Sequence, residues 1–319
     1  MSGIVCQVAA VLRACSSAVI VTHALPDGDA VGSSLGLALA LERLGINVVF
    51  AGSGPLPEQY HFLPGQHLYV AGSGTHRVEL VIYVDCASPD RVDGVRVEGD
   101  RVVNIDHHIT NDGFGDVAFV DPSAPAAGEQ VYRLLEPLGV ALDEAIATCL
   151  YTALVSDTGW FTHENTTPGA CRIAARLLEA GVRPDQVAWQ LQGNRPLSAL
   201  RLLGRALSSL EVREDGKLAV MQLGSEDLLE CGALAEETDG IVNYGISLSG
   251  VELAVLLKEM PKGGVRASLR SRGRVDVAQL AAALGGGGHA RAAGCTLSGP
   301  LESARETLVA AAAERVQSL

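Results

Sequence analysis

Four short stretches place groups able to hold metal or move protons at the ends of apolar runs. Residues 103–109 read VNIDHHI, which sets Asp106, His107 and His108 side by side after a run fit for a buried strand. Taken alone, such a triplet reads most simply as a polar turn; it becomes a metal site only if other segments bring the missing ligands. THALPDGDAVG (22–32) offers His23, Asp27 and Asp29, ELVIYVDCA (79–87) offers Asp85, and SDTG (156–159) offers Asp157.

A pair of divalent ions about 3.5–4 Å apart needs several protein ligands, a carboxylate shared between them, and open positions for water and substrate. His23, Asp27, Asp29, Asp85, His107 and Asp157 make up such a set. Carboxylate oxygens with two imidazoles and no thiolate suit Mn²⁺ ahead of Mg²⁺, and Zn²⁺ less well. Cys86 abuts Asp85 but reads as a small buried residue rather than a ligand.

These groups can meet only if a scaffold carries them to one edge. Residues 18–24, 47–52, 79–87 and 101–108 read as strands, continuous in apolar residues as expected when both faces of a sheet are covered. Helical patterns lie between and after them at 29–45, 126–138, 143–156 and 168–181, the last opened by Pro168 and ended by Gly181. The pattern predicts an α/β fold whose N-terminal domain is a doubly wound, mainly parallel sheet, with ligands bound at the carboxyl ends of the strands. Residues 185–206 read as a helical connector. Beyond it, 217–223, 251–260 and 264–271 read as half-exposed antiparallel strands with helices near 276–284 and 300–316, a smaller α+β domain over 207–319.

Composition narrows the function further. The net charge of −13 argues against broad binding of long nucleic acid, duplex included, which usually shows a basic footprint. The exception is 258–274, where six basic residues face one acidic one. Seven scattered cysteines without a C-x-x-C spacing predict reduced thiols. No apolar run reaches the roughly 20 residues of a membrane span, and the N-terminus lacks a signal-peptide pattern, so the expected location is cytoplasmic, away from membranes.

HALPDGDAVGS, VDC, DHH and SDTG, in this order, resemble the four signature motifs of the DHH phosphoesterase superfamily. GGGGHARAAG (285–294) resembles the glycine-rich motif of the DHHA1 domain that accompanies it. Length and DTGWFTHENTTP (157–168) bring the chain near the NrnA-like nanoRNase and pAp phosphatase branch, pAp being 3′-phosphoadenosine 5′-phosphate. The resemblance implies a DHH catalytic domain over 1–184, a DHHA1 substrate-binding domain over 207–319, and an active site in the cleft between them. It implies that His23 and Asp27 hold one metal, that Asp29, His107 and Asp157 hold the other, and that Asp85 bridges them. Asp106 would orient an imidazole, the partner a metal-bound histidine requires, and His108 would face the scissile phosphate.

In the second domain the resemblance implies that Gly286, Gly287, Gly288, His289 and Arg291, with Ser268 and Arg270, grip a substrate phosphate; glycines let backbone N–H groups approach an anion closely. His163 is expected at the surface or on the substrate rim rather than as a ligand, and Arg266, Arg272 and Arg274 in solvent. The implied substrates are short RNA, linear dinucleotides such as pGpG and pApA, and pAp, with a homodimer allowed by the apolar helices. Three other readings compete: an inorganic pyrophosphatase, whose second domain would carry a Ser-Arg-Lys motif absent here; a RecJ-like single-strand exonuclease, which needs more aromatic platforms; and a nucleotide-binding regulator with a degenerate site.

Overall fold

The structure, a computed structural model, describes residues 3–72, 74–260 and 263–319; Lys262, one of the basic residues of the 258–274 stretch, lies outside the described residues. The chain divides into two compact units, Met1–Asn194 and Arg195–Leu319.

In the first unit the elements run α1 (Gly3–Ala14), β1 (Ser17–Val21), α2 (Gly28–Arg43), β2 (Asn47–Gly52), β3 (Tyr69–Ala71), β4 (Thr75–Val84), β5 (Arg96–Asp106), β6 (Val117–Val120), α3 (Ala127–Leu138), α4 (Glu144–Asp157), α5 (Pro168–Glu179) and α6 (Pro184–Ala188). The six strands form one parallel sheet in the order β3-β2-β1-β4-β5-β6. The doubly wound sheet expected from the apolar runs is therefore present, extended by two short strands, β3 and β6. The order reverses between β1 and β4, and in open parallel sheets the crevice beyond the carboxyl ends at such a reversal is where ligands bind.

Helix α2 is buried from Gly28 to Leu41 and lies against α4. The approach is close because Gly28 has no side chain: a Cβ there would overlap Ser156, the residue before Asp157. The start of α2 and the end of α4 are thus brought together by a residue that only glycine can supply.

The second unit runs α7 (Leu197–Ser208), β7 (Glu211–Arg213), β8 (Leu218–Leu223), α8 (Ser225–Cys231), α9 (Val242–Ile246), β9 (Leu253–Glu259), β10 (Val265–Ser271), α10 (Val277–Ala283), β11 (Gly287–His289), β12 (Ala292–Leu297) and α11 (Leu301–Gln317). Its sheet is mixed, in the order β11-β12-β10-β9-β8-β7. Two expectations are corrected. Strands β8 and β9 pair in parallel, and they are buried almost throughout. The cause is cover on both faces: one core gathers Val255 and Leu257 with Leu308 and Ala312 of α11, the other gathers Ala254 and Leu256 with Leu202 of α7 and Val242 of α9. Of the three strands expected to be half-exposed, β10 keeps the alternating burial of a strand with one polar face.

Candidate metal centre and anion pocket

The first site assembles at the strand-order reversal. His23 follows β1, Asp85 follows β4, and Asp106 ends β5 with His107 and His108 after it. Asp27 caps α2, its carboxylate accepting from the backbone N–H of Asp29 and Ala30, each at 3.0 Å. That cap fixes where α2 begins and aims Asp29 inward. Asp29 is fully buried and accepts from the backbone N–H groups of Ala127 (2.6 Å) and Gly128 (3.0 Å), at the first turn of α3. Asp157 is the last residue of α4.

These side chains converge. His107 Nε2 lies 3.2 Å from Asp157 Oδ2, 3.3 Å from Asp85 Oδ1 and 3.5 Å from Asp29 Oδ2. His23 Nε2 lies 3.7 Å from Asp85 Oδ2. Two groups have donor atoms close enough to share an ion, His23 with Asp27 and Asp85, and Asp29 with His107 and Asp157; Asp85 also groups with His107 and His108. Asp85 occupies the left-handed region at φ 52°, a conformation that aspartate tolerates better than most residues but that still costs energy.

A divalent cation fits this donor set. Asp85 Oδ1 is buried without a well-formed hydrogen bond, its nearest partner being the His107 imidazole at 3.3 Å, and a cation among these donors would satisfy it better. Without a cation the crowded carboxylates must be offset by protons. Burial, then Asp85 and Asp157 beside it, push the Asp27 carboxyl up to about 6, and the same causes push Asp29 well above its ordinary value. The His107 imidazole is pushed up to about 12, because Asp157, Asp85 and Asp29 outweigh the opposing effect of burial. Asp85 itself is also buried, yet His107 and His23 hold its carboxyl below the usual range. A cation can take the place of those protons.

Asp106 is fully buried, and its Oδ1 accepts from His108 Nδ1 at 2.7 Å. That bond and the carboxylate's charge raise the His108 pKa. The imidazole that Asp106 orients is therefore His108, not His107, whose Nδ1 instead faces the Ala124 carbonyl at 3.1 Å. Cys86 is buried, its thiol bonded to the Ser88 carbonyl and pushed by burial up to about 11, which leaves it inert. His163 is exposed, with Nδ1 3.2 Å from the carbonyl oxygen of Asp157.

The second site is a cavity of about 360 Å³ over the polar face of β10. Arg266, Ser268 and Arg270 line it with Gly287 and Gly288. Residues 266, 268 and 270 share one face by strand parity, so Arg266 belongs with Arg270 rather than in bulk solvent alone. Arg272 and Arg274 go elsewhere: the first donates to the carbonyls of Ile246 and Leu248, the second to that of Leu319. Thr238, Asp239 and Lys258 add polar groups to the lining, with Lys258 Nζ donating to Thr238 Oγ1 at 2.7 Å. Sequence reasoning missed Thr238 and Asp239, since nothing in their spacing ties them to β10, whereas Lys258 is one of the basic residues of the 258–274 stretch.

Of the glycine-rich segment, Gly287–His289 pairs with Ala292–Gly294 as an antiparallel hairpin instead of an open loop. Gly286, His289 and Arg291 lie outside the cavity lining. His289 is exposed at the hairpin tip, and Arg291 packs over Gly273.

Fold and sites together define the class: this chain belongs to the DHH family. Residues 17–154 match the N-terminal domain of the DHH family and residues 215–318 match the DHHA1 domain. The chain is 40% identical over 319 residues to a protein of Thermus thermophilus named bifunctional oligoribonuclease and PAP phosphatase NrnA, across 97% of this chain and 93% of that relative. The Bacillus subtilis protein of the same name is 31% identical over 280 residues, across 86% of this chain and 87% of that one. An exopolyphosphatase-related protein from Bacteroides fragilis has the same fold, with a TM-score of 0.91 at 26% identity over 99% of this chain and 96% of that one. No helix among the described residues is long and apolar enough to cross a membrane.

Proposed function

We propose that the protein is a metal-dependent phosphohydrolase that cuts short oligoribonucleotides and linear dinucleotides such as pGpG and pApA to mononucleotides, and converts pAp to AMP. The observation that carries this reading is the convergence of four carboxylates and two imidazoles around Asp85 at the strand-order reversal. The substrate class is supported by the two relatives named as oligoribonucleases and PAP phosphatases, which align over most of this chain. Seven free cysteines suit a reducing, cytoplasmic setting.

In this reading His23 and Asp27 would hold one ion, Asp29, His107 and Asp157 would hold a second, and Asp85 would serve both; the two imidazole nitrogens among the carboxylate oxygens favour Mn²⁺ over Mg²⁺. Bound divalent ions supply charge to the phosphoryl oxygens and make a hydroxide nucleophile available near neutral pH. The protein's part is positional. The Asp27 cap and the α3 amides hold their carboxylates in place, and burial excludes bulk water from Asp29 and Asp85. When the ester P–O bond breaks, the leaving oxygen needs a proton. His108, held through Nδ1 by Asp106, is the group that would deliver it from Nε2.

In the second unit, Arg270, Arg266 and Ser268, with the backbone at Gly287 and Gly288, take a substrate phosphate. His289 and Arg291, at the hairpin tip, and Gly286 at its base extend that grip on the substrate. The catalytic role falls to residues 1–184 and the binding role to 207–319. Incubating the protein with Mn²⁺ and pAp, with a labelled RNA dimer, and with a 20-nucleotide RNA tests the reading. Phosphate release from pAp and cleavage of the dimer faster than the long RNA are expected; hydrolysis of pyrophosphate alone would overturn it.

A further inference from the structure

Asn104 and Asn111 form a small network behind the Asp-His-His triplet. Asn104 is fully buried in β5, two residues before Asp106. Its Nδ2 donates to the Cys86 carbonyl at 3.2 Å, and its Oδ1 accepts from Asn111 Nδ2 at 2.7 Å. Asn111 Nδ2 also donates to Asp106 Oδ2 at 2.6 Å, and lies 3.4 Å from the same Cys86 carbonyl. On its other side, Asn111 Oδ1 accepts from the Gly113 N–H at 2.8 Å. The acceptors on one side and the donor on the other fix which way this amide points.

The two oxygens of Asp106 are therefore divided. Oδ1 receives His108 Nδ1 and Oδ2 receives Asn111 Nδ2. A carboxylate held at one oxygen can rotate about its Cβ–Cγ bond and carry its histidine with it; held at both, it cannot. The backbone closes the loop, since Asn111 N–H donates to the His108 carbonyl at 3.1 Å. The segment 108–111 thus folds back so that the amide braces the carboxylate that orients His108.

We propose that Asn111, anchored by Asn104, is a positioning residue for the reaction, acting through Asp106 to hold the His108 imidazole in register with the scissile phosphate. The inference rests on the phosphohydrolase reading above. It assigns work to a residue outside the four sequence motifs.

The test compares Asn111→Ala, Asn111→Asp, His108→Ala and the His108→Ala/Asn111→Ala double variant on pAp and on the RNA dimer, with Mn²⁺ affinity measured by calorimetry. Loss of the partner behind a metal-bound histidine typically costs about 10–100-fold, and the same order is expected for the support of His108. Asn111→Ala should lower kcat by about that factor while KM and Mn²⁺ affinity stay within about threefold. Asn111→Asp keeps the shape but sets a second carboxylate against Asp106 Oδ2, so it should lose at least as much. If the amide acts through His108, its removal costs little once His108 is gone, so the double variant should match His108→Ala within about twofold.

In the Mg²⁺ form, the His108 Nδ1–H proton resonance should be sharp in the wild type and broadened by solvent exchange in Asn111→Ala, a readout that needs no turnover. Additive losses, or a loss that follows melting temperature or Mn²⁺ affinity instead of kcat, would overturn the inference. Wild type inactive on both substrates would instead sink the hydrolase reading, whereas an active wild type with an indifferent Asn111→Ala sinks only this inference.

Discussion

The two sheets hold charge in opposite ways. In the first unit Asp29, Asp85 and Asp106 are buried, and most of the site's carboxylate oxygens are placed by a backbone amide, a side-chain amide or an imidazole before any ligand arrives. In the second, Arg266 and Arg270 stand on one face of β10 over an open cavity, with Arg270 desolvated enough that burial lowers its pKa. The first arrangement is rigid and charged against itself until a cation enters. The second gathers Lys258, Arg266 and Arg270 around one cavity, with Asp239 beside them. Changes in the first unit should therefore act on kcat and metal binding, and changes in the second on KM.

The largest break should come from Asp85→Asn. Asparagine tolerates the left-handed conformation at φ 52°, so the backbone survives while the shared carboxylate loses its charge. Each 1.36 kcal/mol of lost transition-state stabilisation is tenfold, and metal assistance contributes several kcal/mol; a fall in kcat of about a thousandfold is expected. Steady-state kinetics with circular dichroism to verify folding decides it, and near-wild-type turnover would remove Asp85 from the centre.

Next in size is the pH dependence of metal binding, a property only the first unit should have. Ligation needs ionised carboxylates and neutral imidazoles, so binding releases protons and each one displaced makes affinity rise about tenfold per pH unit. His107, at about 12, gives up a proton throughout the neutral range, and Asp27 adds its own below about 6. Mn²⁺ affinity should therefore climb steeply from pH 5 to 6 and less steeply above. In the metal-free protein the sign reverses: between the ordinary 3.8 of aspartate and about 6, the folded state keeps a proton on Asp27 that the unfolded chain has lost. That group's contribution to stability falls as pH rises through the window. Calorimetric titration in buffers of different ionisation enthalpy counts the protons; a flat affinity profile would contradict the crowded-carboxylate picture.

How much of this contrast was legible in the sequence follows from the same physics. Strands β1, β2, β4 and β5 announce themselves because a sheet covered on both faces demands apolar runs, and the polar residues that end those runs then fall on one edge. β3 and β6 are three and four residues long, too short for a pattern. β8 and β9 were misleading because helices cover both faces of a sheet expected to have one side in water. Asn104 is concealed inside the VNI approach to the triplet, since its partners Cys86 and Asn111 come from other segments. Arg266 shares the face of Arg270 by strand parity and is also exposed, as expected.

The second unit gives the next effect. Arg270→Ala removes a half-buried cation from the cavity, and hydrogen bonds to charged groups are worth about 1.5–3 kcal/mol, so KM for pAp should rise about tenfold or more with kcat within about twofold. Arg266 is exposed on the same face, where screening weakens it, and its alanine variant should raise KM only about threefold. A kcat loss in either would blur the division between the sheets.

The smallest effect sharpens what the glycines are for. A Cβ at Gly286 would overlap the Gly294 carbonyl, and one at Gly288 would press on Ala292 and Ala293 with φ at 145°, whereas a Cβ at Gly287 meets nothing within 4 Å. Gly286 and Gly288 are thus required by the hairpin itself, while Gly287 lines the cavity without being needed by the fold. Gly287→Ala should change stability by no more than about 0.5 kcal/mol, the range of ordinary surface substitutions, and raise KM only about twofold to threefold, by filling space that a phosphate would use. Gly286→Ala should instead lower the melting temperature with KM following from the damage. Equal destabilisation by both would mean that the whole run serves the hairpin, and that anion binding rests on the β10 arginines alone.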